Sequence, residues 1–597
     1  MTGRPVAGET VGVRDVRRAS AVRAPRRRRF VAMPSPGFSE PVSIYINWAA
    51  YDLLSDAVPL TEELAFAQLD HLLRLKCQGV RMDCYLMDCF WFDPDGGYRT
   101  WDRRYWSPSG GERWIKACHD NGVLPGLWVA TNALATPIFQ HLNAVPAWRD
   151  SLSPNGESAC MFHGGFMADF VAVLQHWVDR GIRLFKFDFA DLDAAPLEVQ
   201  RACLPSEIRR RNAEALRTAL HLFRERNPEV KLLAYNGLIE SGTPMPMAGT
   251  SGPIRRSIDT RWLDVFDAVY CGDPRPADVP CANFWRSKDI YSDHMVRYFE
   301  ANGYPFSRID NSGFMIGTTG TCYGRRKQAW RGMLVLSLAR GGWANTYYGN
   351  LDLLTDSDAR WFGKAQKLFF ELQHTARWTS FGAIPGEGEP YGFWAHRPDG
   401  DVITIVNPAA THRTFTLPAR GERLLFSDAG FEPVIEGREI TLGPEQLAVV
   451  GGGRFVSEEF LLGKEPDVTI PQAVERVAAE FEAAGGNKIV ANIERPSEGT
   501  ALRVMVRQTR GGFALRSSGG PPPEGVTLAK ILRIEVRQGA RTIPVHVNYD
   551  LAIWSGLSWA VGEISLSEVG GTGLLSIACS TTESAPVQLA AEVYSIS

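Results

Sequence analysis

The chain has 597 residues, 45% apolar and 22% charged, with a formal net charge of −3. That length allows about three or four domains, and the composition is that of a globular protein rather than a disordered or fibrous one. The near-neutral charge invites neither nucleic acid nor an anionic membrane, and no apolar run approaches the ~18 residues that cross a bilayer. The ten cysteines, nine of them before Gly324, form no paired CxxC set. They read as small buried hydrophobes in a reducing compartment.

The N-terminus, "RDVRRASAVRAPRRRRF", is Arg-rich. An export signal needs an apolar segment after it, whereas "VAMPSPGFSEP" is turn chemistry. Residues 1–40 are therefore expected to be a disordered leader, or the start to be placed too early with Met33 as the true one, and the location to be cytoplasmic. From Pro41 strand and helix signals alternate. "PVSIYINWAAY" is β-prone and ends in Trp48. "PLTEELAFAQLDHLLRLKCQGV" reads as a helix, with Thr61 as cap, Glu62 and Glu63 in the first turn and Gly79 as its stop. "VRMDCYLMDCFWF" is strand-like, and "GERWIKACHDNGVLPGLWVATN" is a helix followed by a strand. Phe166, Phe170, Val173, Leu174, Trp177 and Val178 form one face of an amphipathic helix that Gly181 ends. "RGIRLFKFDFADLD" follows as a strand. Further β-like runs come at "VKLLAYNG", "VFDAVYCGD", "YPFSRIDNSGFMIG" and "GGWANTYYG".

About eight strands in some 330 residues, most followed by a helix, are the cadence of an α/β (β/α)8 TIM barrel. A doubly wound sheet would carry a Gly-rich phosphate turn after its first strand, and none is present. The barrel is expected over 41–376. Past Arg377 the helices stop, and "GFWAHRPDGDVITIVNP" and its successors predict an antiparallel β-domain over 377–455. A C-terminal β-rich domain over 456–597 opens with a helical stretch, "QAVERVAAEFEAAGG". It continues with sandwich-like alternation at Leu502, Val504, Val506 and at Leu532, Ile534, Val536.

In "LFKFDF", Lys186 and Asp188 are two apart on a strand and so share a face. A carboxylate beside an ammonium is kept ionised, which suits a nucleophile; a buried ion pair stabilising the barrel mouth accounts equally well for this pattern alone. Asp88, Asp273 and Asp310 fall at apparent strand ends, as do Trp48, Trp91, Trp128 and Trp343. Carboxylates with indole faces around one mouth compose a sugar site: the carboxylates grip hydroxyls and the aromatics cover the C–H face of a pyranose.

From about Ile44 to Asn350 these segments resemble the barrel of the α-galactosidase (melibiase) clan of retaining glycoside hydrolases. "INWAAYD" is similar to its first-strand Trp segment, "YLMDCFWFD" to "iDdgW", and "LPGLWVATN" to its third strand. "LFKFDF" is similar to "ylKxDf", "RIDNSGFMIG" to "NDPDMLxIG", and "YYGNLDL" to "plxxSxDL". The resemblance implies Asp188 as nucleophile, Lys186 and Asp88 as hydroxyl ligands, and an acid/base after the sixth strand, taken as Asp273 with Asp259 and Asp278 as fallbacks. It implies a separation of about 5–5.5 Å between the two catalytic carboxyls. The chain departs from the clan where Cys89 follows Asp88, where Ser312 replaces a second Asp, and where "YNGLIESG" sets Asn236 near the sugar.

The expected activity is exo-hydrolysis of a terminal α-linked sugar, an α-galactoside first, with α-N-acetylgalactosaminides and β-L-arabinopyranosides open. A decayed glycan-binding barrel and a transglycosylase are the alternatives. No HExxH, P-loop or Rossmann fingerprint occurs, so neither metal nor cofactor is expected. The partner implied is a glycoside, and nothing in the sequence argues against a homo-oligomer.

Overall fold

The computed structural model describes residues 37–48, 59–89, 91–135, 145–238, 260–272, 281–283, 285–290, 292–317, 327–509, 532–551, 558–571, 573–582 and 587–597. The Arg-rich leader up to residue 36 lies outside them.

The first strands and helices alternate as expected: β1 (Val42–Ile46), α1 (Glu62–Cys77), β2 (Cys84–Met87), α2 (Gly110–Asp120), β3 (Leu124–Ala130), α3 (Phe166–Asp179) and β4 (Leu184–Asp188). Then come α4 (Leu197–Ala202), α5 (Pro205–Arg226), β5 (Lys231–Ala234), β6 (Ala268–Val269), α6 (Arg286–Ile290) and α7 (Ser292–Ala301). The set ends with β7 (Asp310–Ile316), α8 (Trp330–Leu338), β8 (Ala344–Gly349) and α9 (Asp356–Thr375). The strands form one parallel sheet in the order β6-β5-β4-β3-β2-β1-β8-β7. Val269 of β6 bridges Ile309, next to β7, in parallel and closes the sheet into a barrel.

Local chemistry accounts for these elements. The Thr61 side chain accepts from the Leu64 N–H and caps α1, and Gly79, at φ +95°, turns the chain after it. On α3 the buried residues are Phe166, Phe170, Val173, Leu174, Trp177 and Val178, the face read from the sequence.

Nine strands follow: β9 (Arg377–Gly382), β10 (Tyr391–Arg397), β11 (Gly400–Asn407), β12 (Arg413–Thr416), β13 (Arg423–Gly430), β14 (Val434–Glu436), β15 (Glu439–Leu442), β16 (Gln446–Gly453) and β17 (Gly463–Ile470). Six make one sheet, β17-β13-β16-β11-β10-β9, and β12-β15-β14 make a second. Ile403, Ile405, Leu417, Ile440 and Val450 fill the space between them. Strand β17 lies past residue 455, the expected boundary, and still belongs to the six-stranded sheet.

The last segment comprises β18 (Val474–Val477), β19 (Glu482–Ala483), β20 (Lys488–Glu494), β21 (Ala501–Thr509), β22 (Leu532–Gln538), β23 (Arg541–Ile543), β24 (His546–Leu551), β25 (Ser558–Ser565), β26 (Leu574–Thr581) and β27 (Gln588–Ile596). Two five-stranded sheets, β18-β27-β21-β25-β24 and β19-β20-β26-β22-β23, enclose Leu502, Val504, Val506, Leu532, Ile534 and Val536. The helix expected at "QAVERVAAEFEAAGG" is not formed: Val474 pairs with Ile596 and Val477 with Val593 in an antiparallel edge. Pairing with the final strand overrides the helical propensity of its alanines and glutamates.

Candidate active site

The strand ends β2, β3, β4 and β5 carry the polar residues that the sequence singled out. In the register of β3 with β4, Trp128 lies beside Lys186 and Ala130 beside Asp188. Phe185 packs against Phe223 of α5 and Phe187 against Phe170 of α3. These contacts turn the odd residues of β4 outward, so Lys186 and Asp188 face the barrel interior. Both are buried, at 4% and 5% exposure.

The Lys186 ammonium donates to Asp88 Oδ2 at 2.8 Å and stands 3.8 Å from Asp188 Oδ2. Asp88, just past β2, is itself held: its N–H donates to Asn47 Oδ1 (2.7 Å), and its Oδ1 accepts from the Cys89 N–H (2.9 Å). Burial raises the Asp88 pKa; Lys186 opposes the rise and the charge on Asp188 adds to it.

The two oxygens of Asp188 have different surroundings. Oδ1 accepts three N–H groups: Phe189 N (3.0 Å), Asn236 N (3.1 Å) and Asn236 Nδ2 (2.9 Å). Oδ2 accepts from the indole of Trp128 at 3.2 Å. The turn that allows this is tight. Phe189 takes a φ of +47°, and Gly237 a φ of +88° against Ala190. A non-glycine residue held in that region directly after a candidate nucleophile is strain of the kind that accompanies a fixed carboxylate. One oxygen is anchored, and the other meets, among the described residues, one neutral donor and a nearby cation.

A further buried set continues from Lys186. Its Nζ lies 4.3 Å from the centre of the Tyr235 ring. The Tyr235 hydroxyl donates to Asp310 Oδ2 and pairs with the Tyr348 hydroxyl at 2.9 Å, while Thr346 Oγ1 donates to Asp310 Oδ1 at 2.6 Å. Burial pushes the Asp310 carboxyl up to about 6, against the hydrogen bonds from Thr346 and Tyr235.

The structure therefore brings together Asp88, Trp128, Lys186, Asp188 and Asn236, and moves others. Asn236 binds the candidate nucleophile itself. Asp310 opens β7 instead of ending it, since the segment before it, read as β-like, is a short turn at Phe306–Arg308. Trp343 likewise precedes β8, and its indole donates to Gln373 O. Trp91 is fully buried among Phe92, Tyr98, Trp101 and Trp177, with its indole N–H on Trp128 O. It supports Trp128 from behind rather than lining an open mouth. Trp48 follows β1 and is half-buried. Asp273, Asp259 and Asp278 lie outside the described residues. Sequence reasoning missed Tyr235, Thr346 and Tyr348. The one available signal was spacing, because Thr346 and Tyr348 are two apart on β8.

No group of three His, Cys, Asp or Glu among the described residues is placed to hold a metal ion, and none of their helices is long and apolar enough to cross a membrane.

No family profile and no curated protein matches the chain. Solved structures similar to it include trehalulose synthase MutB from Pseudomonas mesoacidophila, at 12% identity over 69% of this chain and 98% of that one, with a TM-score of 0.44. A trehalose-6-phosphate hydrolase from Bacillus licheniformis is similar at 11% identity over 70% and 99%, with a TM-score of 0.44. An isomaltulose synthase variant from Erwinia rhapontici is similar at 10% over 69% and 98%, with a TM-score of 0.46. Likenesses at this level carry no argument about chemistry, which rests on the side chains above.

Proposed function

We propose that the chain is a retaining glycoside hydrolase with Asp188 as its nucleophile. The observation that carries this reading is the asymmetric Asp188 carboxylate at the end of β4: Oδ1 held by three N–H donors and Oδ2 beside Trp128 and Lys186. In the first step Oδ2 attacks the anomeric carbon. The bond to the leaving oxygen breaks, and that oxygen takes a proton from a second carboxyl. In the next step that second group, now a carboxylate, removes a proton from water, and the water oxygen displaces Asp188. Anchoring Oδ1 keeps the attacking oxygen in line without reorganisation during the reaction.

The resemblance of "LFKFDF" and its companion segments to the α-galactosidase clan makes an α-galactoside the first substrate, with α-N-acetylgalactosaminides and β-L-arabinopyranosides next. By the same resemblance Asp273 is the acid/base.

The test is hydrolysis of a p-nitrophenyl glycoside panel by wild type and Asp188→Ala, with product anomers followed by NMR. Release of one sugar, with retained configuration and abolished by the substitution, supports the reading. Activity untouched by the substitution refutes it. Silence of the wild type favours a glycan-binding barrel, and glycosyl transfer to added sugar acceptors would make the enzyme a transglycosylase on the same carboxylates.

A further inference from the structure

Lys186 has a flexible four-carbon stem and could meet its two carboxylates in several ways. If its ammonium donated directly to Asp188 Oδ2, it would tie up the lone pair needed for attack. If it moved away, the carboxylate pair would lack its cation. The observed position is between these extremes, bonded to Asp88 and 3.8 Å from Asp188. Something must hold it there.

The Tyr235 ring lies 4.3 Å from the ammonium, where its electron-rich face attracts a cation. The ring is in turn fixed from its far end. Its hydroxyl donates to Asp310 and meets the Tyr348 hydroxyl, and Asp310 is pinned on its other oxygen by Thr346. Tyr235, Asp310, Thr346 and Tyr348 are all at 2% exposure or less, so water does not compete for these bonds. A phenol that donates to a carboxylate also carries more electron density on its ring, which strengthens the platform. The line runs from Asp310 at the start of β7 through Tyr235, just past β5, to Lys186 on β4.

We propose that Tyr235 and Asp310 are positioning residues for the reaction. They hold the Lys186 ammonium against Asp88 and one step away from Asp188 Oδ2, so that this oxygen keeps its counter-ion and remains available to attack. The proposal rests on the reading of Asp188 as nucleophile.

The test compares full-length wild type, Asp310→Ala, Asp310→Asn and Tyr235→Phe on the glycoside that the wild type hydrolyses, with melting midpoints alongside. Loss of the anchor misplaces the ammonium, and the loss is felt when Asp188 Oδ2 attacks in the transition state, not when the glycoside binds. Asp310→Ala is thus expected to lower kcat by about 10²-fold while KM stays within about two-fold. Asp310→Asn recovers most of kcat, because a carboxamide oxygen still accepts from the Tyr235 hydroxyl. Tyr235→Phe, which keeps the ring and loses its anchor, falls between, and it carries the test in case Asp310→Ala does not fold.

Variants that shift only the melting midpoint, with kcat and KM as in wild type, would overturn the proposal. So would an Asp310→Asn as impaired as Asp310→Ala, since the hydrogen bond would then not be what matters. An Asp188→Ala protein with wild-type activity removes the glycosidase reading and this proposal together. Loss of activity in Asp188→Ala beside an unaffected Tyr235→Phe and Asp310→Ala removes the proposal alone.

Discussion

Asp428, on β13, offers the sharpest test of the electrostatics. It is fully buried, and its Oδ2 accepts from Leu447 N (2.8 Å), Asn283 Nδ2 (2.9 Å) and the Trp285 indole (3.3 Å). It thereby ties the chain just before α6 to the six-stranded sheet. Burial, with Glu465 adding to it, pushes its pKa from the ordinary 3.8 up to about 7. Below 3.8 the folded and unfolded chains both hold the proton, and the group contributes nothing to pH dependence. Between 3.8 and about 7 the unfolded chain has released the proton and the folded one keeps it. Each pH unit gained there removes about 1.4 kcal/mol of stability. Above 7 the fold bears the whole cost, about 4 kcal/mol. Asp428→Asn keeps an accepting oxygen for the three donors and does not titrate. Its new NH2 falls where Oδ1 has no partner among the described residues, a pH-independent cost of about 1–3 kcal/mol. The variant should therefore gain on wild type by about 3 kcal/mol between pH 5 and pH 8, whatever the sign of its offset at pH 5. Urea unfolding of both proteins at the two pH values measures this, because the carboxyls away from Asp428 titrate alike in both and cancel in the difference, and only its neighbour Glu465 adds a smaller term. A stability difference that does not change with pH would refute the assignment of a buried, reluctant carboxyl at Asp428.

Two further outcomes follow from the site. A Cβ added at Gly237 would stand 2.0 Å from Ala190 O, at a φ of +88° that side chains rarely adopt. Gly237→Ala should cost at least about 2 kcal/mol, seen as a lowered melting midpoint, and should lower activity with it because Asn236 next door holds Asp188. Lys186→Met leaves Asp88 and Asp188 buried without their cation and should cost about 3–5 kcal/mol. Adding Asp88→Asn should return part of that loss, read as a positive coupling in a double-mutant cycle.

The cadence of the barrel could be read in the sequence because it is local. The six buried positions of α3 follow from a 3.6-residue period, and the shared face of Lys186 and Asp188 from a period of two. The sandwich strands with Leu502, Val504, Val506 and Leu532, Ile534, Val536 follow from the same period. What the sequence misplaced depends on neighbours far along the chain. All of β7 is buried, so polarity gives no sign of which end Asp310 occupies. Trp91 is a core residue because Trp101 and Trp177 close around it. Tyr235 and Asp310 meet across 75 residues, and no spacing rule reaches that far.

Lys186 and Lys288 are both buried lysines within the barrel region, and the contrast between them is informative. β7 shifts register between Ser312 and Met315, a bulge that unpairs backbone carbonyls. Lys288 donates to Ser312 O (2.5 Å), Gly313 O (2.6 Å) and Ser337 Oγ (2.5 Å). Its burial is explained by the backbone that it repairs, even though desolvation drives its pKa well below the ordinary lysine value. Lys186 meets carboxylates that an apolar barrel layer would not contain. Eight-stranded barrels usually fill that layer with branched aliphatic side chains, and a buried ion pair is often no more stable than such a filling. Stability alone therefore gives no reason for Asp88, Lys186, Tyr235 and Asp310 to stand in one continuous line that ends at Asp188. On the proposal that Asp188 is the nucleophile, the reason lies at the strand end, where the Asp188 oxygen not held by backbone N–H groups faces Trp128 and the ammonium.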